Sequence, residues 1–488
     1  MTAAVMENLE LLAGAPAGVE RLRSLILELA ATGQLVATEG ESRQLRIDEF
    51  CTVQGGIQKT PLRAPVSHHF PYLRVANVQR GRIDVASLER YELTPDELER
   101  WRLVPGDLLI VEGNGSESEI GRCAVWRGEV SDCVYQNHLM RVRPSAEACI
   151  DFLAMYLNSP VGSAHMRRLA ITTSGLFNLS VGKIRSIPVR LPPLPEQHRI
   201  VAKVDELMAL CDRLEARQQD AEAAHARLVQ ALLDSLTQAR DAEEFQTCWQ
   251  RVAEQFDAVF TTDGSVDSLK QTVMQIGVEG RLCAGAPRST WQLKTINEFC
   301  TVQGGIQKTP LRAPVRHHFP YLRVANVQRG RIDVAQLERY ELAPDELDRW
   351  RLYAGDLLIV EGNGSETEIG RCAIWHGEVD DCVYQNHLMR VRPTDDDAVE
   401  YLALYLNSPV GTAHMRRLAI TTSGLFNLSV GKIRSIPVEL PPPAEQRRIV
   451  AKVTELLALC DQLKARIAAA RAKHAQLAEA LVAQAVAG

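Results

Sequence analysis

CTVQGGIQKTPLRAPVSHHFPYLRVANVQRG occupies residues 51–81, and it returns at residues 300–330 with one change, Arg316 for Ser67. Reading outward from it, residues 51–191 and 300–440 align at a constant offset of 249 without a gap, and 120 of 141 positions are identical. The differences bunch at Ser145–Phe152 against Thr394–Tyr401, which reads as a tolerant surface loop. Past the repeat, Pro192-Pro193-Leu194-Pro195-Glu196-Gln197 is echoed by Pro441-Pro442-Pro443-Ala444-Glu445-Gln446, and a heptad pattern follows each. The chain therefore carries two copies of one globular unit, each joined to one rod.

The rods are legible from spacing. Ile200, Val204, Leu207, Cys211 and Leu214 recur at 4-3-4-3 intervals, and the seam resumes at Leu228 and Leu232. The second rod repeats the register from Ile449 through Leu463 and Ile467 to Leu477 and Leu481. Such a pattern is a coiled-coil seam, and its natural partner is the other rod. A helix of about 45 residues would run roughly 65–70 Å. Pro195 fits the first helical position. His225 and His474 fall on the seam and read as tolerated polar positions.

A helical lead precedes each unit. Val19, Leu22, Leu25, Ile26 and Leu29 share one face and Gly33 is placed to end the helix; Val266, Leu269, Val273, Met274 and Ile276 precede Gly280 in the same way. The domains expected are a helical lead at 1–38, a globular domain at 39–191, a central helical region at 192–285, a second globular domain at 286–440 and a C-terminal helix at 441–488. Residues 241–265 have no counterpart in the other half. Because the C-terminal rod and N-terminal lead together rebuild what the middle holds continuously, the arrangement is circular and predicts a pseudo-two-fold axis.

Within residues 39–191, β-type runs are expected at Tyr72–Val78, Asp107–Val111, Cys123–Trp126, His138–Val142 and Ile184–Val189. Helical pieces are expected at Thr94–Arg102 and Ala148–Asn158. The fold class is α+β, a mixed α/β domain with a strongly bent sheet.

Composition bounds the class. Of 488 residues 46% are hydrophobic and 24% charged, ordinary for a soluble globular chain. No apolar run approaches the roughly 20 residues of a membrane helix, and the N-terminus lacks a basic secretory region. The 11 cysteines are scattered without CxxC pairs and suit a reducing, cytoplasmic setting rather than zinc. Net charge is −6, yet charge is unevenly placed. Gln54–Ile83 holds Lys59, Arg63, Arg74, Arg80 and Arg82 without an acid; Asn158–Arg190 holds Arg167, Arg168, Lys183, Arg185 and Arg190 without an acid. These windows are either a solvated face or phosphate-contacting surface.

No catalytic constellation stands out. There is no GxxxxGK[ST] loop, no GxGxxG after a strand and no Asn-Pro-Pro-Tyr-type tetrapeptide; Thr94-Pro95-Asp96-Glu97 is a helix start. Residues suited to reading DNA are present in both copies, since Arg pairs with guanine edges and Asn or Gln with adenine edges. Gly55-Gly56-Ile57-Gln58-Lys59 reads as a flexible loop offering Gln58 and Lys59 at its tip, or as an ordinary turn. Arg74, Asn77 and Arg80 follow at spacings of three, at least one of them structural. Asn137 and His138 read equally as contacts or as a buried network. Arg167 and Arg168 lead into a polar loop with Thr173, Ser174 and Asn178, suited to phosphate contacts. The second-copy counterparts are Gln307, Lys308, Arg323, Asn326, Arg329, Asn386, His387, Arg416, Arg417, Thr422, Ser423 and Asn427. Asn114-Gly115-Ser116 reads as a turn.

The chain resembles the specificity subunit of type I restriction-modification systems over nearly its whole length. The junction from Leu179-Ser180 through Ile187-Pro188-Val189 and Leu191-Pro192-Pro193-Leu194-Pro195-Glu196-Gln197 to Ile200-Val201 carries the likeness, and it recurs at 428–450. Gly106-Asp107-Leu108-Leu109-Ile110, Gly121-Arg122 and Gln136-Asn137-His138 support it. The resemblance implies a non-catalytic subunit with two target recognition domains, each binding half of a split site on double-stranded DNA. It implies an antiparallel coiled coil that separates them, two docked modification (methyltransferase) subunits, and restriction (translocase-nuclease) subunits. S-adenosylmethionine, ATP and Mg are expected on those partners, with no cofactor or metal on this chain and no membrane. Recognition domains of this family usually differ; here they are nearly identical, which implies an interrupted palindrome. With half-site centres roughly 34–36 Å apart and half-sites of about 3–4 base pairs, the gap would be roughly 5–8 base pairs. A stand-alone DNA-binding protein such as a repressor, or an unrecognised nuclease, are the alternatives.

Overall fold

The computed structural model describes all residues except 1–7, 38–39, 59, 115–119, 146–147, 174–175, 241, 283–286, 308, 310–311, 363–368, 395–397, 420–426 and 488. The chain divides into two compact units: residues 1–221 with 470–488, and residues 222–469. The C-terminal end thus belongs to the first unit.

In the first unit the lead forms α1 (Leu9–Gly14) and α2 (Gly18–Thr32). The helix α2 ends as expected at Gly33, whose φ of +78° suits a residue without a Cβ. Arg190 adds a second stop, donating from Nη1 to the Thr32 carbonyl at 2.6 Å. Strand β1 (Arg43–Arg46) and the short helix α3 (Ile47–Phe50) lead into β2 (Cys51–Gly55). Then come β3 (His69–Leu73), a tight hairpin of β4 (Val78–Gln79) and β5 (Arg82–Ile83), β6 (Glu89–Glu92) and α4 (Pro95–Trp101). Strands β7 (Leu108–Val111), β8 (Gly113–Asn114), β9 (Cys123–Val125), β10 (Val134–Tyr135) and β11 (Leu139–Pro144) follow. Helices α5 (Ile150–Asn158) and α6 (Pro160–Leu169), the hairpin β12 (Ile171–Thr173) and β13 (Leu176–Asn178), α7 (Val181–Arg185) and β14 (Pro188–Leu191) complete the domain before α8 (Leu194–Gln238).

The mixed α/β class holds, with several small sheets in place of one bent sheet. A four-stranded antiparallel sheet has the order β2-β11-β7-β9; a three-stranded one has the order β10-β3-β6; β12-β13-β8 and β1-β14 form smaller ribbons. All four residues of β7 are buried because both faces of the central sheet are covered. Leu108 and Ile110 face a core shared with α2, α5 and α8, while Leu109 and Val111 face a second core with Leu73, Trp126 and Tyr135. The second unit repeats this architecture, with the corresponding strands at Cys300–Gly304, Leu388–Pro393, Leu357–Val360 and Cys372–Ile374.

Several expectations are corrected. Ile184 lies in α7 rather than in a strand, because the Ser180 hydroxyl accepts from the Lys183 amide and caps a helical turn. Asn114 pairs with Phe177 as strand β8 rather than forming a turn. Phe152 and Tyr401, at the end of the variable segment, are buried inside helices and so do not belong to a surface loop. The rod seam also shifts: Leu228 and Leu477 are exposed, while Val229, Leu233 and Ala478 are buried. A straight α-helix drifts off a 3.5-residue repeat, so a strict heptad reading slips by one position over several turns.

The seam packs inside each unit. Ile200, Val204, Leu207 and Cys211 share one core with Leu22, Leu25 and Leu29 of the lead. Arg23 of the lead pairs with Asp212 at 2.6 Å and Glu215 at 3.1 Å. In the second unit Asp267, in the lead helix Asp263–Val278, pairs with Lys464 at 2.9 Å. The junction motif is a clamp: buried Gln197 donates to Pro192 O and accepts from Cys149 N, both at 2.8 Å. The ten described cysteines are free thiols. Burial pushes the Cys51 and Cys123 thiols up to about 12, as inert packed residues.

Candidate nucleic-acid interface

The loop after β2 is ordered by contact with β10. A Cβ on Gly56 would stand 2.3 Å from the carbonyl oxygens of Tyr135 and Gln136, so glycine is required for this close approach. The Ile57 amide donates to Tyr135 O, and the Asn137 amide donates to Ile57 O, each at 2.9 Å. Ile57 is buried, and Tyr72 Oη donates to its carbonyl at 3.1 Å. The segment is thus a rigid strand-like ledge through Ile57, not a flexible loop. It delivers an exposed Gln58 beside the half-buried Asn137.

His138 follows, exposed over 56% of its side chain. Its Nδ1 lies 3.0 Å from Glu112 Oε2, and Glu112 is only 16% exposed. The other carboxylate oxygen accepts from Asn178 Nδ2 at 3.3 Å. Backbone bonds fix the three: the Glu112 amide donates to His138 O at 2.9 Å, and the Leu179 amide to Glu112 O at 2.6 Å. Lys183, on α7, donates from Nζ to Asn178 O at 3.2 Å. Strand ends, a hairpin end and a capped helix therefore converge on one polar edge made of Gln58, Asn137, His138, Glu112, Asn178 and Lys183.

The second unit rebuilds it. His387 Nδ1 lies 3.1 Å from Glu361 Oε2, Asn427 Nδ2 lies 3.4 Å from Glu361 Oε1, and Lys432 Nζ lies 3.2 Å from Asn427 O. Gln307 is exposed at the corresponding ledge. Sequence reading picked out His138, Asn137, Asn178 and Gln58 separately. It missed the hub, Glu112, because an acid sits poorly in a basic-patch search and its partners are 26 and 66 residues away.

Other expected residues go elsewhere. Asn77 is buried: its amide donates to Asp84 O and Ser87 O and its Oδ1 accepts from the Arg74 amide, so it braces a turn and offers no edge to a base. Asn326 does the same in the second unit. Arg74 pairs with Glu89 at 3.0 Å, and Arg323 with Glu338 at 2.9 Å. Arg80 does not join them: it lines a cleft with Asp151, Val201 and Asp205, and Arg329 lines the corresponding cleft with Asp267 and Lys270. Arg63, also in the first basic window, forms a two-pronged pair with Glu97 at 2.7 and 3.1 Å, which holds that carboxyl down at about 2. Arg167 and Arg168 stand exposed on the last turn of α6, with Arg168 Nη2 3.0 Å from His165 Nδ1; Arg416 and Arg417 are exposed likewise. Lys59, Ser174, Lys308, Thr422 and Ser423 lie outside the described residues, and of Thr173 only the strand is described.

Among the described residues no group of three His, Cys, Asp or Glu could hold a metal ion. No described helix is long and apolar enough to cross a membrane. The cluster around Glu112 is a hydrogen-bonding edge whose His138 and Asn178 side chains are exposed.

Comparison with known proteins places the fold. A family model described as the type I restriction modification DNA specificity domain matches residues 41–223 and again 288–470. The chain is 26% identical to the type I restriction enzyme EcoEI specificity subunit of Escherichia coli over 392 residues, spanning 69% of this chain and 65% of that protein. It is also 26% identical to the EcoKI specificity subunit of Escherichia coli strain K12, over 86% of this chain and 82% of that one. A chain from a solved type I R-M system superposes over 92% of this chain and 99% of its own with a TM-score of 0.56 at 16% identity, a likeness of fold.

Proposed function

The chain belongs to the type I restriction modification DNA specificity family, and from that premise we propose that it is the non-catalytic, DNA-addressing subunit of such a complex. It reads double-stranded DNA at two half-sites, one for each recognition domain. The observation that carries this reading is the repeated polar edge. His138, Glu112, Asn178 and Lys183 recur as His387, Glu361, Asn427 and Lys432, with hydrogen-bond distances agreeing within 0.1 Å.

Equal edges read equal sequences. Two nearly identical readers recognise the same half-site, one on each strand, so the target is an interrupted palindrome. The readers supply the address, and methyltransferase subunits docked on the helical regions supply the chemistry, adenine methylation with S-adenosylmethionine. Restriction subunits would bring ATP-driven translocation and Mg-dependent cleavage. Exposed Gln58 and His138, with half-buried Asn137 between them, face bases; Lys183, Arg167 and Arg168 meet phosphates, which position without specifying.

The test is enrichment of a random duplex pool on the full-length chain near physiological salt. A motif of two matching inverted halves separated by unread positions is expected, with affinity falling steeply as salt rises. Enrichment of nothing above background would contradict the reading.

A further inference from the structure

Glu112 is an unexpected residue to find in the middle of a DNA-reading edge. A carboxylate there repels phosphate, so its place needs a reason beyond charge. Its two oxygens are both engaged, one by His138 Nδ1 at 3.0 Å and one by Asn178 Nδ2 at 3.3 Å, and its side chain is mostly covered. It is therefore poorly placed to read a base itself.

What it does is set the chemistry of its two neighbours. A carboxylate only accepts hydrogen bonds. The His138 nitrogen facing it must carry a proton, so in the uncharged form of the ring Nε2 is the acceptor. The Asn178 atom facing it must be the NH2, which turns the carbonyl Oδ1 away from the carboxylate. One half-buried acid thus converts two ambivalent side chains into two acceptors on the outer edge. The second unit agrees: Glu361 bonds His387 Nδ1 and Asn427 Nδ2, and Asn386 Nδ2, a donor, lies 3.5 Å from His387 Nε2. Lys183 and Lys432, which donate to the main-chain oxygens of Asn178 and Asn427, supply local positive charge against the acid.

We propose that Glu112 and Glu361 are specificity-determining positioning residues, which fix His138/Asn178 and His387/Asn427 as acceptors for an exocyclic amino group in the major groove, adenine N6 or cytosine N4. This inference rests on the DNA-recognition reading above. In the major groove only those two base groups donate hydrogen bonds, so an acceptor edge selects which strand carries the amino base at that step.

The experiment uses the full-length chain and the duplex it enriches from a random pool. Each adenine is replaced in turn by purine, and each cytosine by 2-pyrimidinone, so that single amino groups are deleted. The wild-type chain is expected to lose about tenfold in affinity at one such step in each half-site. The paired variant Glu112→Gln with Glu361→Gln offers a donor to the ring and frees the tautomer; it should lose that discrimination at this step alone, with discrimination elsewhere unchanged, while affinity for unrelated duplex rises as two charges that repel phosphate are removed. If that variant does not fold, His138→Ala with His387→Ala, at exposed rings, should erase the same step. Wild-type indifference to every amino deletion, or full discrimination retained in the variants, overturns the inference while leaving DNA recognition standing. Failure of the wild-type chain to enrich any duplex overturns DNA recognition itself, and this inference with it.

Discussion

His474 Nε2 lies 2.7 Å from the main-chain oxygen of Leu11, a residue 463 positions earlier in the chain. His225 Nε2 lies at the same distance from the main-chain oxygen of Val259. The two histidines, which read as tolerated polar positions on a seam, each tie a rod to a neighbouring segment, His474 to the N-terminal lead and His225 to the stretch just before the second lead. Around His474 the tie is reinforced by the Arg21–Glu479 pair at 3.2 Å and by Ala478, which is buried in the same core as Leu22, Leu25 and Leu29.

Removing residues 470–488 should therefore weaken the first unit selectively. Amides of α2 are expected to exchange faster with solvent, while those of the Asp263–Val278 helix keep their protection. Hydrogen exchange resolved by peptide reads both at once. Unchanged protection in α2 would mean that the chain's end does not complete the first unit.

Asp107 is fully buried and meets Arg143 at 2.6 and 2.8 Å, with a further bond from the Val104 amide at 2.9 Å. Asp107→Ala leaves a guanidinium facing a cavity where its partner stood. The expected loss is about 1–3 kcal/mol, read as a lower denaturant midpoint of the first unit, and Asp356→Ala should do the same to the second through Arg392.

Gly121 and Gly81 separate backbone strain from crowding. Both have positive φ, +65° and +69°. A Cβ at Gly121 would fall 2.1 Å from Met166 Sδ, whereas at Gly81 nothing lies within 4 Å. Gly81→Ala should cost about 1–2 kcal/mol from conformation alone. Gly121→Ala should cost more by the displacement of Met166, and thermal unfolding of the two variants compares them directly.

Arg63 and, next, the Thr94 amide hold the Glu97 carboxyl at about 2, below its ordinary 4.5. A depressed folded value means that this pair stabilises above about pH 4.5 and that its contribution is lost as pH falls towards 2. Glu97→Gln should flatten that part of the profile: between pH 5 and pH 3 the wild-type denaturant midpoint should drop further than the variant's.

The duplication, the helical leads with Gly33 and Gly280 as stops, and the rods were legible because they depend on local spacing and on a repeat long enough to see by alignment. The basic windows were misleading for the opposite reason. Arg63 and Arg74 look unopposed in a run without acids, yet Glu97 and Glu89 reach them from 34 and 15 residues away. Asn77 was a plausible base reader by residue type, and the turn that buries it depends on carbonyls of Asp84 and Ser87. The Glu112 hub was invisible for the same reason: its partners come from two distant segments that only the folded chain brings to it.

Equality of the two readers is the central claim, and methylome sequencing of cells that express this chain with its cognate methyltransferase subunit tests it most directly. The expected result is one methylated motif whose two halves are inverted copies separated by a fixed unread gap. A split motif with unlike halves, from readers identical at 120 of 141 positions, would contradict the account.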